Sequence, residues 1–460
     1  MVRKLFGTDG VRGVAGELLS AELALGLGRA ATALAAAERP QVLIVRDTRE
    51  SGEMLQAALA AGVSASGGDA LLGGVLPTPA APLLIARYGF DLAAVISSSH
   101  NPYRDNGIKF FGADGYKLSD ETELEIEREL ARAGGMGSEG GEAGGGEGSE
   151  ARGDGGEAGR AIGHVRELRG THEDYLRELH TRFAALDLHG LDVLLDCANG
   201  ATHRVAPEIF RRLGAEAHVI ADAPDGRNIN AGCGSTHVQE LAAHVRSGGH
   251  DVGFAFDGDG DRVLAVDGAG VVVDGDELMA LAALHLKRTG RLAGGGVAVT
   301  VMTNYGFHAA MRDADIAVCA TKVGDRYVLE ELRARGWVLG GEQSGHIIDI
   351  GFNRSGDGIA SALLALEALD GRPLSERDAM QKLPQRLVNV RVRDRGALES
   401  AHTVTDAVRA ADEALSGRGR VLVRPSGTEP LVRVMVEAPT DAEADEVCTR
   451  LVALVERELA

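Results

Sequence analysis

Short apolar runs alternate with longer, alanine-rich amphipathic segments along most of the chain. The runs typical of buried strands lie at 41–47, 91–97, 191–196, 218–221, 252–256, 297–302 and 316–320. Segments between them, such as 21–38 and 53–66, have the apolar spacing that predicts helices. Strands that alternate with helices predict α/β domains with mixed, mostly parallel sheets. Polar and glycine residues follow the strand runs, at the end of the sheet where such folds bind ligands.

The last part of the chain has a different pattern. Residues 387–393 alternate between apolar and polar side chains, and two further short strands are predicted at 421–423 and 431–436. Helices are predicted around 403–415 and 442–459. This order of elements is typical of a small α+β domain with an antiparallel sheet.

Residues 134–160 consist largely of Gly and Glu and contain almost no large apolar side chain. Such a segment cannot bury a core, so it is predicted to be a flexible, solvated loop or linker.

Composition and charge narrow the classes of function. Of the 460 residues, 44% are hydrophobic and 25% are charged, as in ordinary soluble globular proteins. The net charge of −20 repels nucleic acid and anionic membranes, so neither is expected as a partner. The chain shows neither a signal-peptide pattern nor an apolar stretch long enough to cross a bilayer. Its four cysteines form no C-x-x-C pair and suit a reducing cytosol, so a cytoplasmic location is expected.

Three aspartates, Asp257, Asp259 and Asp261, alternate with two glycines directly after a predicted strand. An extended loop would place all three on one side. Three carboxylates about 5 Å apart repel one another by roughly 3 kcal/mol per pair at an effective dielectric of about 20. A bound Mg²⁺ removes that repulsion and prefers oxygen ligands. An Asp-Gly hairpin turn is the alternative, but three aspartates in register favour a metal site.

A run of serines ends at Ser99, where a predicted strand gives way to His-Asn-Pro. Proline restricts the backbone at this point, so the turn would hold a hydroxyl in a fixed position. Such a hydroxyl suits a nucleophile, but Ser and Asn are also ordinary turn residues. The chain has no G-x-S-x-G motif, which argues against a serine hydrolase.

Two further loops carry groups that suit a sugar phosphate. Glu342, Ser344 and His346 alternate at a glycine-rich strand end, where they could bind sugar hydroxyls or an amine, or simply form a polar turn. The second loop combines guanidinium groups, hydroxyls and backbone amides, as a phosphate-binding loop does. Its residues are Arg424, Ser426, Gly427, Thr428 and Arg433. Arg12, Lys109, Lys322 and Arg326 are isolated loop cations with a weaker signal.

Five motifs together identify a family. They are FGTDGVRG at 6–13, SHNPYRDNGIKFF at 99–111, DGDGDR at 257–262, GEQSGH at 341–346 and RPSGTEP at 424–430. With them, the chain resembles the α-D-phosphohexomutases from Phe6 to its C-terminal domain. The resemblance implies a heart-shaped enzyme with three consecutive α/β domains and a C-terminal α+β domain. The expected domains are 1–160 (phosphoserine), 161–262 (metal), 263–375 (sugar) and 376–460 (phosphate).

The resemblance also implies roles for individual residues. Ser99 would carry the phosphoryl group, although Ser98 stands where the family commonly has alanine. One Mg²⁺ per subunit would bind Asp257, Asp259, Asp261 and an oxygen of the Ser99 phosphate. Glu342 and Ser344 would contact sugar hydroxyls, and the loop with Arg424, Ser426, Gly427, Thr428 and Arg433 would hold the substrate phosphate. The basic residues around the reacting centre would be Arg12, His100, Lys109, Arg262 and His346, with Lys109 and His346 as candidates for proton transfer.

The implied activity is that of an isomerase that moves a phosphoryl group between O6 and O1 of a hexose through a 1,6-bisphosphate. Gln343 favours glucosamine 6-phosphate as the substrate, with glucose and mannose phosphates as the alternative. A non-catalytic sugar-phosphate-binding protein and a phosphatase are more distant alternatives. Hexose 1,6-bisphosphate is expected to act as an activator, and a homodimer is one assembly that the sequence allows.

Overall fold

The fold is described from a computed structural model, which covers residues 5–134, 162–426 and 430–459. The Gly/Glu-rich segment lies outside the described residues from position 135 onward, and so do Gly427 and Thr428 of the predicted phosphate loop.

The strands are β1 (Phe6–Gly7), β2 (Gly10–Val14), β3 (Gln41–Arg46), β4 (Asp69–Val75), β5 (Leu92–Ile96), β6 (Asp105–Gly112), β7 (Val165–Glu167), β8 (Asp192–Asp196), β9 (Glu216–Ile220), β10 (Val252–Phe256), β11 (Val263–Asp267), β12 (Val272–Val273), β13 (Gly296–Thr300), β14 (Ala317–Thr321), β15 (Leu339–Gly341), β16 (Ile347–Asp349), β17 (Gln385–Arg391), β18 (Arg420–Pro425) and β19 (Leu431–Glu437). The α-helices are α1 (Ala21–Ala33), α2 (Gly52–Ala65), α3 (Ala80–Tyr88), α4 (Asp120–Gly134), α5 (Thr171–Arg182), α6 (Val205–Arg212), α7 (Val238–Gly248), α8 (Gly275–Arg288), α9 (Tyr305–Asp313), α10 (Asp325–Arg335), α11 (Gly358–Leu369), α12 (His402–Leu415) and α13 (Asp441–Leu459).

The strands form four sheets in chain order. The first has the order β1-β2-β6-β5-β3-β4-β7, the second β12-β11-β10-β8-β9 and the third β14-β13-β15-β16. In each of these three, a parallel centre is extended by antiparallel strands, such as β6 beside β5 and β11 beside β10. The fourth sheet, β17-β19-β18, is antiparallel throughout. The predicted fold class, mixed α/β sheets followed by an α+β domain, is confirmed.

The sheets divide the chain at slightly different points from the predicted domains. Strand β7 follows residue 160 but pairs with β4 in the first sheet. The expected boundary at 262 falls between β10 and β11, which are neighbours in the second sheet. We therefore propose that the first unit extends through Glu167 and the second through Val273.

One apolar core connects the first three sheets. Buried side chains from the first sheet (Phe111), the second (Phe254) and the third (Val299) belong to one cluster, together with the almost wholly buried helix α11. The C-terminal unit has its own core, which includes Val434 and Leu451. The first three units therefore form one packed body, and loops at their strand ends are held in fixed relative positions.

The C-terminal unit is attached to the third sheet by polar contacts. Arg420 donates to the backbone oxygens of Val301 at 3.0 Å and Thr303 at 2.6 Å, and its guanidinium pairs with Glu437. Glu437 also accepts a hydrogen bond from the Tyr305 amide at 2.8 Å. Among the described residues, no helix has both the length and the apolar character needed to cross a membrane.

Candidate active site

Ser99 lies in the turn after β5 and points at the aspartates that follow β10. Its backbone has φ of 51°, in the left-handed region that costs free energy for a residue other than glycine. The side chain is 1% exposed, and its hydroxyl donates a hydrogen bond to Asp257 Oδ2 at 2.5 Å. The turn therefore holds the serine hydroxyl against the aspartate cluster.

A buried arginine holds this turn in place. Arg49 Nη2 donates to the backbone oxygens of Ser99 and Asn101, both at 2.9 Å. Its Nε pairs with Asp47 at 2.8 Å, and Asp47 accepts a hydrogen bond from the Ser97 hydroxyl at 2.7 Å. Sequence reasoning did not predict this support, because Arg49 and Asp47 form no recognisable motif of their own.

The second sheet approaches the same turn closely. Asn230 Nδ2 donates to the Ser99 carbonyl at 2.9 Å. A Cβ atom on Gly258 would lie 2.7 Å from that same carbonyl oxygen. Glycine at position 258 therefore allows the aspartate loop and the serine turn to pack without a gap.

The three predicted metal ligands converge. Oxygens of Asp257, Asp259 and Asp261 lie within 4.8 Å of one another, and all three side chains are buried. Burial and the two neighbouring carboxylates raise the pKa of Asp257 well above its ordinary value. One oxygen of Asp259 and one of Asp261 are buried without a hydrogen-bond partner. Such oxygens fit a hard cation, so the donor set is suited to Mg²⁺.

Lys109, on β6, lies against this triad. Its ammonium donates to Asp259 at 2.9 Å and is 3.6 Å from both Asp9 and Asp261. Burial alone would lower the pKa of Lys109, but Asp259 and Asp9 raise it above the ordinary value. Burial also opposes ionisation of Asp259, yet Lys109 and the Thr78 hydroxyl lower its pKa. Lys109 is therefore charged and balances part of the triad's negative charge.

A chain of charges extends from Lys109 to the third sheet. Asp9 pairs with Arg12 and with Lys117, and Lys117 also contacts Asp325 at the start of α10.

His346 Nε2 is 3.7 Å from Asp325 and 3.8 Å from Asp261. Both ring nitrogens of His346 are buried without a hydrogen bond. They are accordingly free to meet a group that enters the site.

Sequence reasoning missed three members of this chain: Asp9, Lys117 and Asp325. Each is a single charged residue in a loop or at a helix start. The contacts of Lys117 join it to Asp9 and Asp325, which lie 108 and 208 positions away in the sequence. The only available signal was that Asp9 belongs to the motif around Arg12 and that Asp325 neighbours Arg326.

His100 and Arg262 border the serine from the other side. His100 Nδ1 lies 3.4 Å from the Ser99 hydroxyl and 3.1 Å from Arg262 Nη1. Burial, followed by the charge of Arg262, lowers the pKa of His100. His100 is therefore neutral near pH 7, and Arg262 is the cation at this edge.

The predicted sugar loop is the hairpin between β15 and β16. Its Gly345 carbonyl accepts a hydrogen bond from the Val263 amide at 3.1 Å, next to Arg262. Glu342 is half-buried and accepts from the Gly324 amide at 3.0 Å, while Ser344 is exposed. The hairpin thus lies beside the aspartate loop and carries the Glu342 carboxylate and the exposed Ser344 hydroxyl.

The predicted phosphate loop belongs to the C-terminal unit. Arg424 and Arg433 are direct cross-strand neighbours on β18 and β19. Burial and the charge of Arg433 lower the pKa of Arg424, and Arg433 Nε is buried without a hydrogen-bond partner. Two like charges side by side are unfavourable unless an anion joins them. Ser426 is buried beside them, and Arg424 contacts Met302 of the third unit at 3.4 Å.

The fold therefore gathers most of the predicted residues into one site. Those around the triad are Ser99, His100, Lys109, Arg12, Arg262, His346, Asp257, Asp259 and Asp261. The arginine pair lies on the separately packed C-terminal unit, joined to the rest through the third sheet.

Family models match the chain in four consecutive blocks. All four are described as phosphoglucomutase/phosphomannomutase domains: alpha/beta/alpha domain I matches residues 3–134, domain II 173–270, domain III 274–387 and the C-terminal domain 387–454.

Among curated relatives, a phosphoglucosamine mutase of Moorella thermoacetica is 51% identical over 97% of this chain and 98% of its own. Among solved structures, a phosphoglucomutase/phosphomannomutase family protein from Burkholderia thailandensis superposes with a TM-score of 0.79 at 24% identity, covering 99% and 98% of the two chains. An Aspergillus fumigatus N-acetylphosphoglucosamine mutase, solved with GlcNAc-6P and magnesium, gives 0.67 at 18% identity over 99% and 96%. These structural likenesses concern the fold.

Proposed function

The chain belongs to the phosphoglucomutase/phosphomannomutase family, and we propose that it interconverts glucosamine 6-phosphate and glucosamine 1-phosphate. Curated relatives that match nearly the whole chain carry the name phosphoglucosamine mutase, and this name confirms the predicted mutase function. The alternative substrates, glucose and mannose phosphates, are not favoured. The observation that carries the proposal is the Ser99 hydroxyl, 2.5 Å from Asp257 within the aspartate triad.

Ser99 is the proposed carrier of the phosphoryl group. Its hydroxyl donates a hydrogen bond to Asp257 of the triad, whereas the neighbouring Ser98 hydroxyl is buried without a hydrogen-bond partner. A phosphoserine carries about −1.5 to −2 charges at neutral pH. Lys109 and Arg262, the cations beside the serine and the triad, would offset part of that charge.

Asp257, Asp259 and Asp261 are the residues that would hold one Mg²⁺ per subunit, with a phosphate oxygen on Ser99 as a further ligand. When bound, Mg²⁺ would neutralise charge on the phosphoryl oxygens and so favour attack at phosphorus. The buried, unpartnered oxygens of Asp259 and Asp261 support this assignment. Lys109 already pairs with Asp259, so it would remain beside the phosphoryl oxygens.

The proposed reaction has two phosphoryl transfers. In the first, the bond between Ser99 Oγ and phosphorus breaks, a bond from phosphorus to O1 of glucosamine 6-phosphate forms, and the O1 proton passes to a base. The resulting 1,6-bisphosphate then turns over in the site. In the second transfer, the bond between O6 and phosphorus breaks, a bond from that phosphorus to Ser99 Oγ forms, and O6 takes up a proton, which leaves glucosamine 1-phosphate and a phosphorylated Ser99. Positioning and charge stabilisation supply most of the catalysis in such transfers.

Two residues are proposed for the proton transfers. His346 has both ring nitrogens free of hydrogen bonds, so it can accept a proton from a substrate hydroxyl. Lys109 is held as an ammonium by Asp259 and Asp9, so in this arrangement it is a proton donor. The structure thus favours different roles for the two candidates.

The remaining predicted residues would hold the sugar and its distal phosphate. Glu342 and Ser344 would contact sugar hydroxyls from the hairpin beside Arg262. Arg424, Ser426, Gly427, Thr428 and Arg433 would bind the phosphate that is not being transferred. The adjacent guanidinium groups of Arg424 and Arg433 support this role, because an anion between them would relieve their repulsion.

A mutase assay tests the proposal directly. The purified chain is given Mg²⁺, a trace of hexose 1,6-bisphosphate as activator, and glucosamine, glucose or mannose 6-phosphate in turn. The proposal predicts the highest kcat/KM with glucosamine 6-phosphate, which would fit a role in making cell-wall precursors. A preference for mannose phosphate would overturn the substrate assignment, and release of free phosphate without isomerised sugar would indicate a phosphatase.

A further inference from the structure

Two histidines and an aspartate meet at the edge of the second sheet where its parallel strands begin. Asp192 is the first residue of β8, His218 lies on β9, and His250 lies two residues before β10. One oxygen of Asp192 and one nitrogen of each imidazole all lie within 4.8 Å of one another. None of these residues takes part in the proposed mutase reaction.

We propose that Asp192, His218 and His250 form a second metal site, for a transition-metal ion such as Zn²⁺. Two imidazoles with a carboxylate suit Zn²⁺, Ni²⁺ or Cu²⁺, whereas the oxygen-only triad suits Mg²⁺. The two sites therefore differ in the class of metal that they select.

One of the ligand pairs already has nearly the spacing that a tetrahedral ion requires. Ligands bound at 2.0–2.1 Å in a tetrahedron lie about 3.3 Å apart. His218 Nε2 is 3.5 Å from Asp192 Oδ1. Glu216 Oε1 is also 3.5 Å from His218 Nε2 but does not belong to the three-residue cluster, so a water molecule would fill the fourth position of the ion. His250 Nδ1 is 2.7 Å from Asp192 Oδ1, and this contact would need to open by about 0.6 Å to reach the tetrahedral spacing.

The fold holds these side chains in place. Glu216 and His218 are two residues apart on β9 and therefore point to the same face. Asp192 is opposite Glu216 in the parallel pairing of β8 with β9. The Asp192 amide donates to Asp251 Oδ2 at 2.9 Å, which ties the start of β8 to the turn that carries His250.

The helix before His250 also favours a cation. Helix α7 ends at Gly248, so its carbonyl end, which carries a partial negative charge, directly precedes the cluster. A Cβ atom on Gly248 would lie 2.7 Å from His250 Nε2, so glycine leaves room for the imidazole. The side chains of Asp192 and His218 are 36% and 45% exposed, which gives an ion access from solvent.

The proposed site is far from the reacting centre. Asp251 and the five residues of β10 lie between His250 and Asp257, so the two metal sites lie roughly 20 Å apart at about 3.3 Å per strand residue. A metal at the histidine site would stabilise the sheet edge without touching the substrate. Metal binding and mutase activity can therefore be measured independently.

The test is a calorimetric titration of the full chain with Zn²⁺. Excess Mg²⁺ is present throughout, so that it occupies the triad. We expect the double variant H218A/H250A to bind one Zn²⁺ fewer than the wild type, and each single variant to bind it at least tenfold more weakly. The matched control is H244A, because His244 lies on helix α7, outside the cluster, and its exposed side chain hydrogen-bonds to the Glu240 carbonyl of that helix. Mg²⁺-dependent mutase activity of all variants should be unchanged, which shows that they fold.

A second readout is the visible spectrum with Co²⁺. Four-coordinate Co²⁺ absorbs strongly, and we expect this absorption in the wild type and in H244A but not in the double variant. Equal Zn²⁺ stoichiometry and affinity in the wild type and the double variant would overturn the proposal. So would a wild type that binds no Zn²⁺ beyond its triad.

Discussion

The Ser99 hydroxyl donates a hydrogen bond to Asp257 across 2.5 Å, although the two residues lie 158 positions apart in the chain. The contact joins the strand end of the first sheet to that of the second. Arg49 and Asn230 stabilise the backbone at this contact, because both donate a hydrogen bond to the Ser99 carbonyl. A phosphoryl group on Ser99 would therefore be next to the metal-binding carboxylates.

The first prediction concerns the serine. Ser99→Ala removes the phosphoryl carrier, so mutase turnover should fall to background while binding of glucosamine 6-phosphate persists. Turnover is followed by the formation of glucosamine 1-phosphate, and binding by calorimetry. The matched control is Ser98→Ala, which should keep its activity because the Ser98 hydroxyl makes no hydrogen bond. Loss of activity in the control alone would move the carrier to Ser98.

A second prediction concerns the triad. Asp261→Asn removes one carboxylate from the proposed metal site but leaves the Ser99–Asp257 hydrogen bond intact. We expect weaker Mg²⁺ binding and a kcat lower by about 10²–10³-fold at a fixed Mg²⁺ concentration, which is typical for the loss of one group that stabilises charge in the transition state. The Kd for Mg²⁺ is measured by titration. Unchanged Mg²⁺ affinity would argue against Asp261 as a ligand.

A third prediction concerns the arginine pair on the C-terminal unit. Arg433→Met removes one charged donor, which is worth about 1.5–3 kcal/mol, so KM for the sugar phosphate should rise about tenfold to a hundredfold. Arg391→Met is the matched control, because Arg391 is exposed on β17 of the same sheet. The free energy of unfolding of Arg433→Met should not fall, because the variant removes the repulsion with Arg424. An unaltered KM would contradict the proposed phosphate site.

The buried arginine beneath the serine gives a prediction about stability. Arg49→Met leaves the Asp47 carboxylate buried without its ion pair and removes one of the two side chains that donate to the Ser99 and Asn101 carbonyls, the other being Asn230. Breaking a buried pair by removing one partner costs about 3–5 kcal/mol of folding free energy. Urea unfolding at pH 7 measures this loss. A change below about 1 kcal/mol would show that the turn does not depend on Arg49.

The fifth prediction concerns pH. Burial, followed by the charge of Asp274, raises the pKa of Asp276 to about 7. The unfolded chain releases this proton near pH 4, but the folded chain keeps it until about pH 7, so this residue should make stability fall as pH rises from 4 to 7. The size of the effect is on the order of 4 kcal/mol. Asp276→Asn should flatten this part of the stability profile and be more stable than the wild type at pH 8. Parallel profiles for the two proteins would contradict the assignment.

Much of the fold was predictable because the strands are compact apolar runs with polar ends. The runs at 91–97 and 252–256 correspond to Leu92–Ile96 and Val252–Phe256. Strand β6 (Asp105–Gly112) was not predicted, because its polar start resembles a loop and it carries the charged Lys109 within its buried part. Strand β7 was missed because its three residues are exposed and lack an apolar pattern.

The site was predictable where a motif concentrates several groups, as in the aspartate triad. It was not predictable where isolated charges meet through the fold. Lys117 contacts Asp9 and Asp325 from distant parts of the chain, and no local spacing records those contacts. The contact between Ser99 and Asp257 was expected from the family resemblance rather than from the spacing of the residues.

Transfer of a radiolabelled phosphoryl group tests the central claim most directly. The purified chain is incubated with Mg²⁺ and labelled glucosamine 1,6-bisphosphate, then digested, and the labelled peptide is sequenced. The account predicts label on Ser99, its absence from Ser99→Ala, and its transfer to sugar when unlabelled glucosamine 6-phosphate is added. An active enzyme that acquires no label at Ser99, or that keeps the label when substrate is added, would contradict it.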